Sequence, residues 1–213
     1  MSTDHDHGHP HRHPPQPDIE DMPATYHQFL AQAVGDLLIE KGIITADELR
    51  GMIEFVDTRE PAIGARLVAH AWADPDFKAR LLADSKEAAA AIGIDTGPIP
   101  IIVVENTDRV HNVIVCTLCS CYPTFLIGLP PDWYKARAYR SRCVREPRAV
   151  LREFGTEIPE SKEVRVHDST ADMRYLVLPQ RPDGTDGLDE EALAGLVTRD
   201  CMIGVTLPRA PAG

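Results

Sequence analysis

Cys116-Thr117-Leu118-Cys119-Ser120-Cys121, directly after a run of β-branched residues, is the stretch around which the second half of the chain is organised. The spacing turns Cys116 and Cys119 toward one centre and presses Ser120 and its flanking amides against that centre. Thiolates are soft ligands that favour transition metals over calcium or magnesium, and backbone amide nitrogens can complete such a set. The motif therefore predicts a metal centre in a loop that leaves a strand.

Other interpretations of the cysteines fit the sequence less well. Buried structural cysteines are common, but they have no reason to cluster at this spacing. A structural zinc site normally has two separated pairs of ligands, whereas Cys143 and Cys201 are isolated and distant. An iron–sulfur cluster requires a fourth thiolate, and disulfides are not expected in a chain with five cysteines and no secretory signal. Zinc is the second choice.

The cysteine motif belongs to a longer pattern that resembles the α subunit of nitrile hydratases. The cobalt type of that family carries threonine at the second motif position, which is Thr117 here. The resemblance extends over nearly all of the chain after the first two dozen residues. It rests on residues 71–75, 104–107, 115–123, 129–135, 144–148, 178–187 and 197–200.

The resemblance implies a low-spin Co(III) ion, one per α subunit, with Fe(III) as the alternative. Its ligands would be the sulfur atoms of Cys116, Cys119 and Cys121 and the amide nitrogens of Ser120 and Cys121. The resemblance also implies that Cys119 becomes a sulfinic acid and Cys121 a sulfenic acid. Cys119, Ser120 and Cys121 are therefore the expected catalytic residues.

The reaction implied is the hydration of a nitrile to an amide. A trivalent cation that binds the nitrile nitrogen withdraws electron density from the carbon, and water or the sulfenate oxygen of Cys121 can then attack. No nucleotide cofactor is needed for this reaction. The sequence contains no G-x-G-x-x-G or P-loop motif and no G-x-S-x-G elbow, which agrees with that expectation.

Several residues around the motif are expected to support it or to line the substrate pocket. By the resemblance, Thr117 and Asp168 support the metal site, and the bonds of Asp168 would cross a subunit boundary. Thr124 stands where the family usually has a tryptophan that lines the pocket, and Phe125 follows it. The missing indole predicts a preference for bulky nitriles unless Phe125 fills the space. Arg174 is interpreted as an interface or surface residue.

Composition limits the classes of partner. The formal charge of −11 and the pI near 5.2 argue against nucleic acid and anionic membranes as partners. The sequence has no apolar run long enough to span a membrane. We therefore expect a soluble cytoplasmic protein.

The chain is expected to divide into three parts. Residues 1–17 form a disordered His-rich tail, in which five histidines alternate with small or polar residues. Residues 18–97 form a helical arm that clasps a partner, with helices predicted from 26, after the capping box at 45–48, and at 62–72, 75–82 and 86–92. Residues 98–213 form an α+β catalytic domain. Its predicted strands are 99–105, 112–115, 163–167, 173–178 and 202–207, and its predicted helices are 131–144, 148–154 and 189–197.

For this second domain the resemblance implies a layered α-β-β-α arrangement. It also implies a β subunit, in an αβ or α2β2 assembly, and an activator or metallochaperone that inserts cobalt. The nearest alternative is the metal-binding subunit of a thiocyanate hydrolase, which shares the cysteine loop. A zinc-binding interaction protein is the alternative without enzymatic activity.

Overall fold

A computed structural model describes residues 25–209, and the predicted tail at 1–17 lies outside them. The chain divides into two compact units, Met1–Gly51 and Met52–Gly213. The described part of the chain mixes helices and strands, which confirms the predicted α+β class. The α-β-β-α layering and the boundaries at residues 17 and 97 stay predictions.

Between Tyr26 and Ala91 the chain is mostly helical, as the capping signals predict. α1 spans Tyr26–Glu40, and α2 spans Ala46–Asp57 behind a capping box in which Thr45 and Glu48 each accept from the other's backbone N–H. The helices that follow are α3 (Pro61–Ala73), α4 (Pro75–Ala83) and α5 (Ser85–Ala91). The Asp74 carboxylate caps α4 by accepting from the backbone N–H groups of Asp76 and Phe77.

The strands form two parallel pairs. β1 (Ile101–Glu105) pairs with β4 (Arg174–Leu178), and β2 (Val110–Val115) pairs with β3 (Glu163–Asp168). β2 is buried along nearly its whole length and belongs to one hydrophobic core with residues of α3, α4, β1 and β4. The pairing of β2 with β3 places Val115 opposite Asp168, where the cysteine loop begins.

The segment after the loop departs from the predicted single helix at 131–144. A short α6 (Thr124–Ile127), which was not predicted, comes first, and α7 (Asp132–Lys135) is separated from α8 (Arg137–Arg145) by an extended Ala136. In one continuous helix, Tyr134 and Tyr139 would point about 140° apart. The break at Ala136 allows both tyrosines to be buried and to donate to backbone carbonyls of β2 and the cysteine loop.

The predicted last strand at 202–207 is wrong. After α9 (Pro147–Glu153) and α10 (Glu190–Leu196), the chain forms α11 (Arg199–Ile203). The Thr198 side chain accepts from the backbone N–H of Cys201 and starts this helix, and Gly204, at φ 91°, ends it. The buried residues Met202 and Ile203 therefore belong to a short helix rather than to a strand. Among residues 25–209, the structure contains no helix that is long and apolar enough to cross a membrane.

Candidate metal centre

The cysteine loop brings three sulfur atoms together at the end of β2. The Cys119 Sγ lies 3.5 Å from the Cys116 Sγ and 3.3 Å from the Cys121 Sγ, and the ligand atoms of all three lie within 4.8 Å of one another. The backbone N–H of Cys119 points to the Cys116 Sγ at 3.2 Å. In the described part of the chain, this is the one group of three or more Cys, His or acidic side chains within common ligand reach.

This donor set fits a thiophilic transition metal. Three convergent thiols are soft ligands, and their loop presents backbone amides beside them. Cys143 and Cys201 are buried elsewhere in the core and do not join the cluster. The structure therefore agrees with a metal centre at Cys116, Cys119 and Cys121. Within residues 25–209 no second pair of ligands, of the kind that a structural zinc site normally has, joins this cluster.

The three thiols differ in exposure and in acidity. Cys116 and Cys121 are buried, whereas Cys119 is exposed at the loop surface. Hydrogen bonds from the thiols of Cys121 and Cys116 lower the pKa of Cys119 to about 7. Burial, and then the neighbouring Cys119, raise the pKa of Cys121 to about 12, against the opposing charge of Arg174. Cys119 therefore ionises more readily than Cys121, and thiolates are the forms that bind metal and become oxidised.

Asp168 holds the start of the loop from within the same chain. Its carboxylate accepts from the backbone N–H of Thr117 at 2.9 Å and from the Thr117 hydroxyl at 2.6 Å. The β2–β3 register explains the contact, because Asp168 is paired with Val115, two residues before Thr117. Thr117 and Asp168 therefore meet within this chain as supporting residues, and the expected bonds of Asp168 across a subunit boundary stay a prediction.

Tyr134 and Tyr139 hold the two ends of the loop. The sequence alone did not predict this role. Tyr134 Oη donates to the Cys121 carbonyl at 2.9 Å, and Tyr139 Oη donates to the Ile114 carbonyl at 2.7 Å. Burial raises the pKa of both hydroxyls, so they remain donors over the physiological range. Each tyrosine has an apolar ring and a polar hydroxyl, and a buried tyrosine hydroxyl usually has a hydrogen-bond partner. This was the one property in the sequence that could have indicated such bonds.

A small cavity lies beside the loop, at the residues expected to line the substrate pocket. It has a volume of about 150 Å³, and Thr124 and Phe125 form part of its wall. Arg174 also lines it, together with Tyr122, which directly follows Cys121. The remaining lining residues are Thr96, Pro98, Ile99, Ile101 and Pro123.

The ring of Phe125 packs against three residues outside the loop. Its centroid lies 5.3 Å from that of Phe55, and the Arg59 guanidinium lies over both rings. A β-carbon added at Gly97 would stand 2.6 Å from the Phe125 ring. Phe125 therefore rests directly on the Gly97 backbone and is fixed there rather than free to turn into the space beside Thr124.

The described histidines His70, His111 and His167 have contacts of their own and do not join the cysteine cluster. His111 contacts the Gly204 carbonyl through Nε2 at 2.8 Å, and His167 contacts the Asn112 Oδ1 at 2.8 Å. His70 pairs with Glu190 at 2.9 Å and stacks edge-on against Phe77. These contacts agree with packing roles.

Most of the chain, including the cysteine loop, matches one family of known proteins. The family model described as the nitrile hydratase alpha chain matches residues 25–206. The cobalt-containing nitrile hydratase subunit alpha of Pseudonocardia thermophila is 53% identical over 184 residues, which cover 84% of this chain and 89% of that protein.

Solved structures of related proteins superimpose on most of the chain. A recombinant thiocyanate hydrolase comprising partially modified cobalt centres has a TM-score of 0.83 and 42% identity, over 89% of this chain and 92% of that one. A double mutant of the Fe-type nitrile hydratase from Comamonas testosteroni Ni1 has a TM-score of 0.77 and 43% identity, over 87% and 91% of the two chains.

Proposed function

Because this chain belongs to the nitrile hydratase α-chain family, we propose that it is the metal-binding catalytic subunit of an enzyme that hydrates nitriles to amides. The observation that carries the proposal is the convergence of the Cys116, Cys119 and Cys121 sulfur atoms in one loop at the end of a buried strand. The reaction is that of a hydro-lyase: water adds across the C≡N bond, carbon gains oxygen, and nitrogen ends with both protons.

The proposed metal is Co(III), one per chain, bound by the three sulfur atoms and by the amide nitrogens of Ser120 and Cys121. Thr117 and the cobalt-containing relative support this choice, and the Fe-type structure keeps Fe(III) as the alternative. We propose that Cys119 carries a sulfinic and Cys121 a sulfenic acid in the mature protein. The low pKa and exposed position of Cys119 favour its more extensive oxidation.

When bound, the metal supplies Lewis acidity that makes a nitrile carbon electrophilic. The chain itself supplies position and shape. Asp168 fixes Thr117, and Tyr134 fixes the Cys121 carbonyl, so the loop is held at both ends before substrate arrives. The oxidised side chain of Cys121 either activates the attacking water or attacks the carbon with its own oxygen. In the second case a water molecule restores the oxygen on the Cys121 sulfur as the amide is released. Thr124 and Phe125 receive the organic part of the nitrile in the adjacent cavity.

The proposal includes a β subunit, in an αβ or α2β2 assembly. α1 has no buried residue, and it exposes several apolar side chains, among them Phe29 and Leu37, which a partner would cover. Oxidised cysteines are anionic and need charge-assisted hydrogen bonds, which we assign to arginines of the β subunit. An activator or metallochaperone would insert cobalt. We place the enzyme in the cytoplasm, where thiols such as Cys143 remain reduced.

Thiocyanate hydrolysis is the second candidate function, favoured by the TM-score of 0.83 with the thiocyanate hydrolase structure. The two candidates share the metal centre and differ in the substrate. The deciding experiment gives the purified complex, co-expressed with its partner and activator, a simple nitrile or thiocyanate. We expect amide formation from the nitrile at the higher kcat/KM. Turnover of thiocyanate alone would replace the proposed substrate, and a colourless zinc protein without turnover would exclude both enzymes.

A further inference from the structure

The cavity beside the cysteine loop contains a positive charge that no described residue neutralises. Arg174 lines this cavity, and its guanidinium makes one hydrogen bond within residues 25–209, to the neighbouring Met173 carbonyl at 3.3 Å. No carboxylate in this part of the chain lies within ion-pair distance of it, although the chain as a whole carries a formal charge of −11. A half-buried guanidinium with several unused donors is suited to an anionic partner.

The backbone holds Arg174 firmly at this place. Its N–H donates to the Pro100 carbonyl at 2.9 Å, and in the β1–β4 pair Arg174 stands opposite Ile101, another lining residue of the cavity. A side chain carried by the first residue of a paired strand is more accurately positioned than one on a free loop. Arg174 is therefore placed to recognise a ligand rather than to extend into solvent.

A second residue of the cavity wall, Tyr122, also has a polar group without a partner among the described residues. Tyr122 lines the wall and is 4% exposed, yet its hydroxyl has no hydrogen-bond partner in the described part of the chain. Such buried groups are rare in folded proteins. Because Tyr122 directly follows Cys121, the cavity that Arg174 lines lies next to the residue proposed to carry the attacking oxygen.

The space in front of Arg174 remains open. Thr124 is small, and Phe125 is fixed against Phe55 and the Gly97 backbone. A volume of about 150 Å³ is enough for a chain of a few heavy atoms. The cavity thus combines a short apolar wall with a cationic end.

We infer that Arg174 is a specificity-determining residue, and that this cavity selects short nitriles that carry a carboxylate or another anionic group beyond the nitrile carbon. The inference rests on the proposed function, since it assigns the substrate class of that site. The carboxylate accepts charge-assisted hydrogen bonds from the guanidinium, while the nitrile end lies toward Cys121. Such pairing is made in the ground state and in the transition state alike, and it therefore acts mainly on KM.

The test uses the co-expressed complex and two substrates of nearly the same shape, 3-cyanopropanoate and its neutral amide, 3-cyanopropanamide. In Arg174→Gln we expect kcat/KM for the carboxylate to fall by about tenfold or more, mostly through KM, and kcat/KM for the amide to change less than about twofold. Arg174→Lys should recover part of the loss. The matched control is Arg165→Gln, which removes an exposed arginine that pairs with Glu163 on β3.

Binding of the products separates this inference from the proposed function. Calorimetry should show that the wild-type complex binds succinamate, the product formed from 3-cyanopropanoate. Arg174→Gln should weaken this binding by the same factor as it lowers kcat/KM for 3-cyanopropanoate. The binding of neutral succinamide should not change. If the complex hydrates no nitrile but Arg174→Gln still weakens the binding of succinamate, the proposed function fails and the anion site stands. Equal effects of Arg174→Gln on the charged and neutral ligands, or no effect on either, would overturn the inference.

Discussion

The Asp168 carboxylate accepts two hydrogen bonds from Thr117, one from the backbone N–H at 2.9 Å and one from the hydroxyl at 2.6 Å. The two residues lie 51 positions apart in sequence and meet because β2 and β3 are paired in parallel. The contact joins the first turn of the cysteine loop to the end of the neighbouring strand. The paired strands therefore help to hold the loop in shape.

Asp168→Ala is expected to weaken cobalt binding by about tenfold to a hundredfold, which is the usual cost of removing a residue that orients metal ligands. Thr117→Val should cost less, because it removes the hydroxyl and leaves the backbone N–H bond in place. Cobalt content and chelator-release rates of the purified complex measure both effects. Asp172→Ala, at an exposed position nearby, is the matched control, and an equal loss in this variant would contradict the assigned role.

Tyr134→Phe is expected to destabilise the protein by about 1 kcal/mol, because it leaves the Cys121 carbonyl without its donor. For a chain of this size, the melting temperature should fall by about 2–4 °C. Tyr139→Phe removes a similar bond to Ile114 and should cost about as much stability. Only Tyr134→Phe should also speed the loss of cobalt, and equal cobalt retention in the two variants would contradict a role at the loop.

Gly97→Ala is expected to destabilise the protein more than Gly93→Ala. Both glycines have positive φ angles, 82° and 75°, so alanine strains the backbone at either position by about 1–2 kcal/mol. Only at Gly97 would the added carbon also meet the Phe125 ring, since Gly93 has no atom within 4 Å of that position. Denaturant unfolding of the two variants measures the difference. Equal losses would mean that Phe125 is free to move away.

Thr124→Trp is expected to fill the cavity beside the loop and to shift specificity toward the smallest aliphatic nitriles. An indole occupies most of a space of about 150 Å³, so larger substrates lose the geometry needed for attack. The measurement compares kcat/KM for acetonitrile and benzonitrile in wild type and variant. We expect the benzonitrile-to-acetonitrile ratio to fall by about tenfold, and an unchanged ratio would show that Thr124 does not shape the pocket.

Local signals in the sequence predicted much of the helical half and the cysteine loop itself. The capping residues Thr45 and Asp74 lie within three positions of the N–H groups that they cap, so short-range patterns identify them. The cysteine ligands are likewise contained in one loop. Residues of this kind can be found without knowledge of the tertiary structure.

Contacts between distant segments could not be found in this way. The bond from Thr117 to Asp168, the burial of Tyr134 and the position of Arg174 all depend on strand pairing and on the helix break at Ala136. The predicted strand at 202–207 failed because its apolar residues suit either a buried strand or a buried helical turn. The Thr198 cap favours the helical turn, but the cap can be identified only once its geometry is known.

Mass spectrometry of the peptide that contains the cysteine loop, taken from active co-expressed complex, tests the central claim most directly. The account predicts two added oxygen atoms on Cys119, one on Cys121 and none on Cys116, in protein that contains one cobalt per chain and hydrates nitriles. Fully active complex in which all three cysteines are unmodified thiols would contradict it.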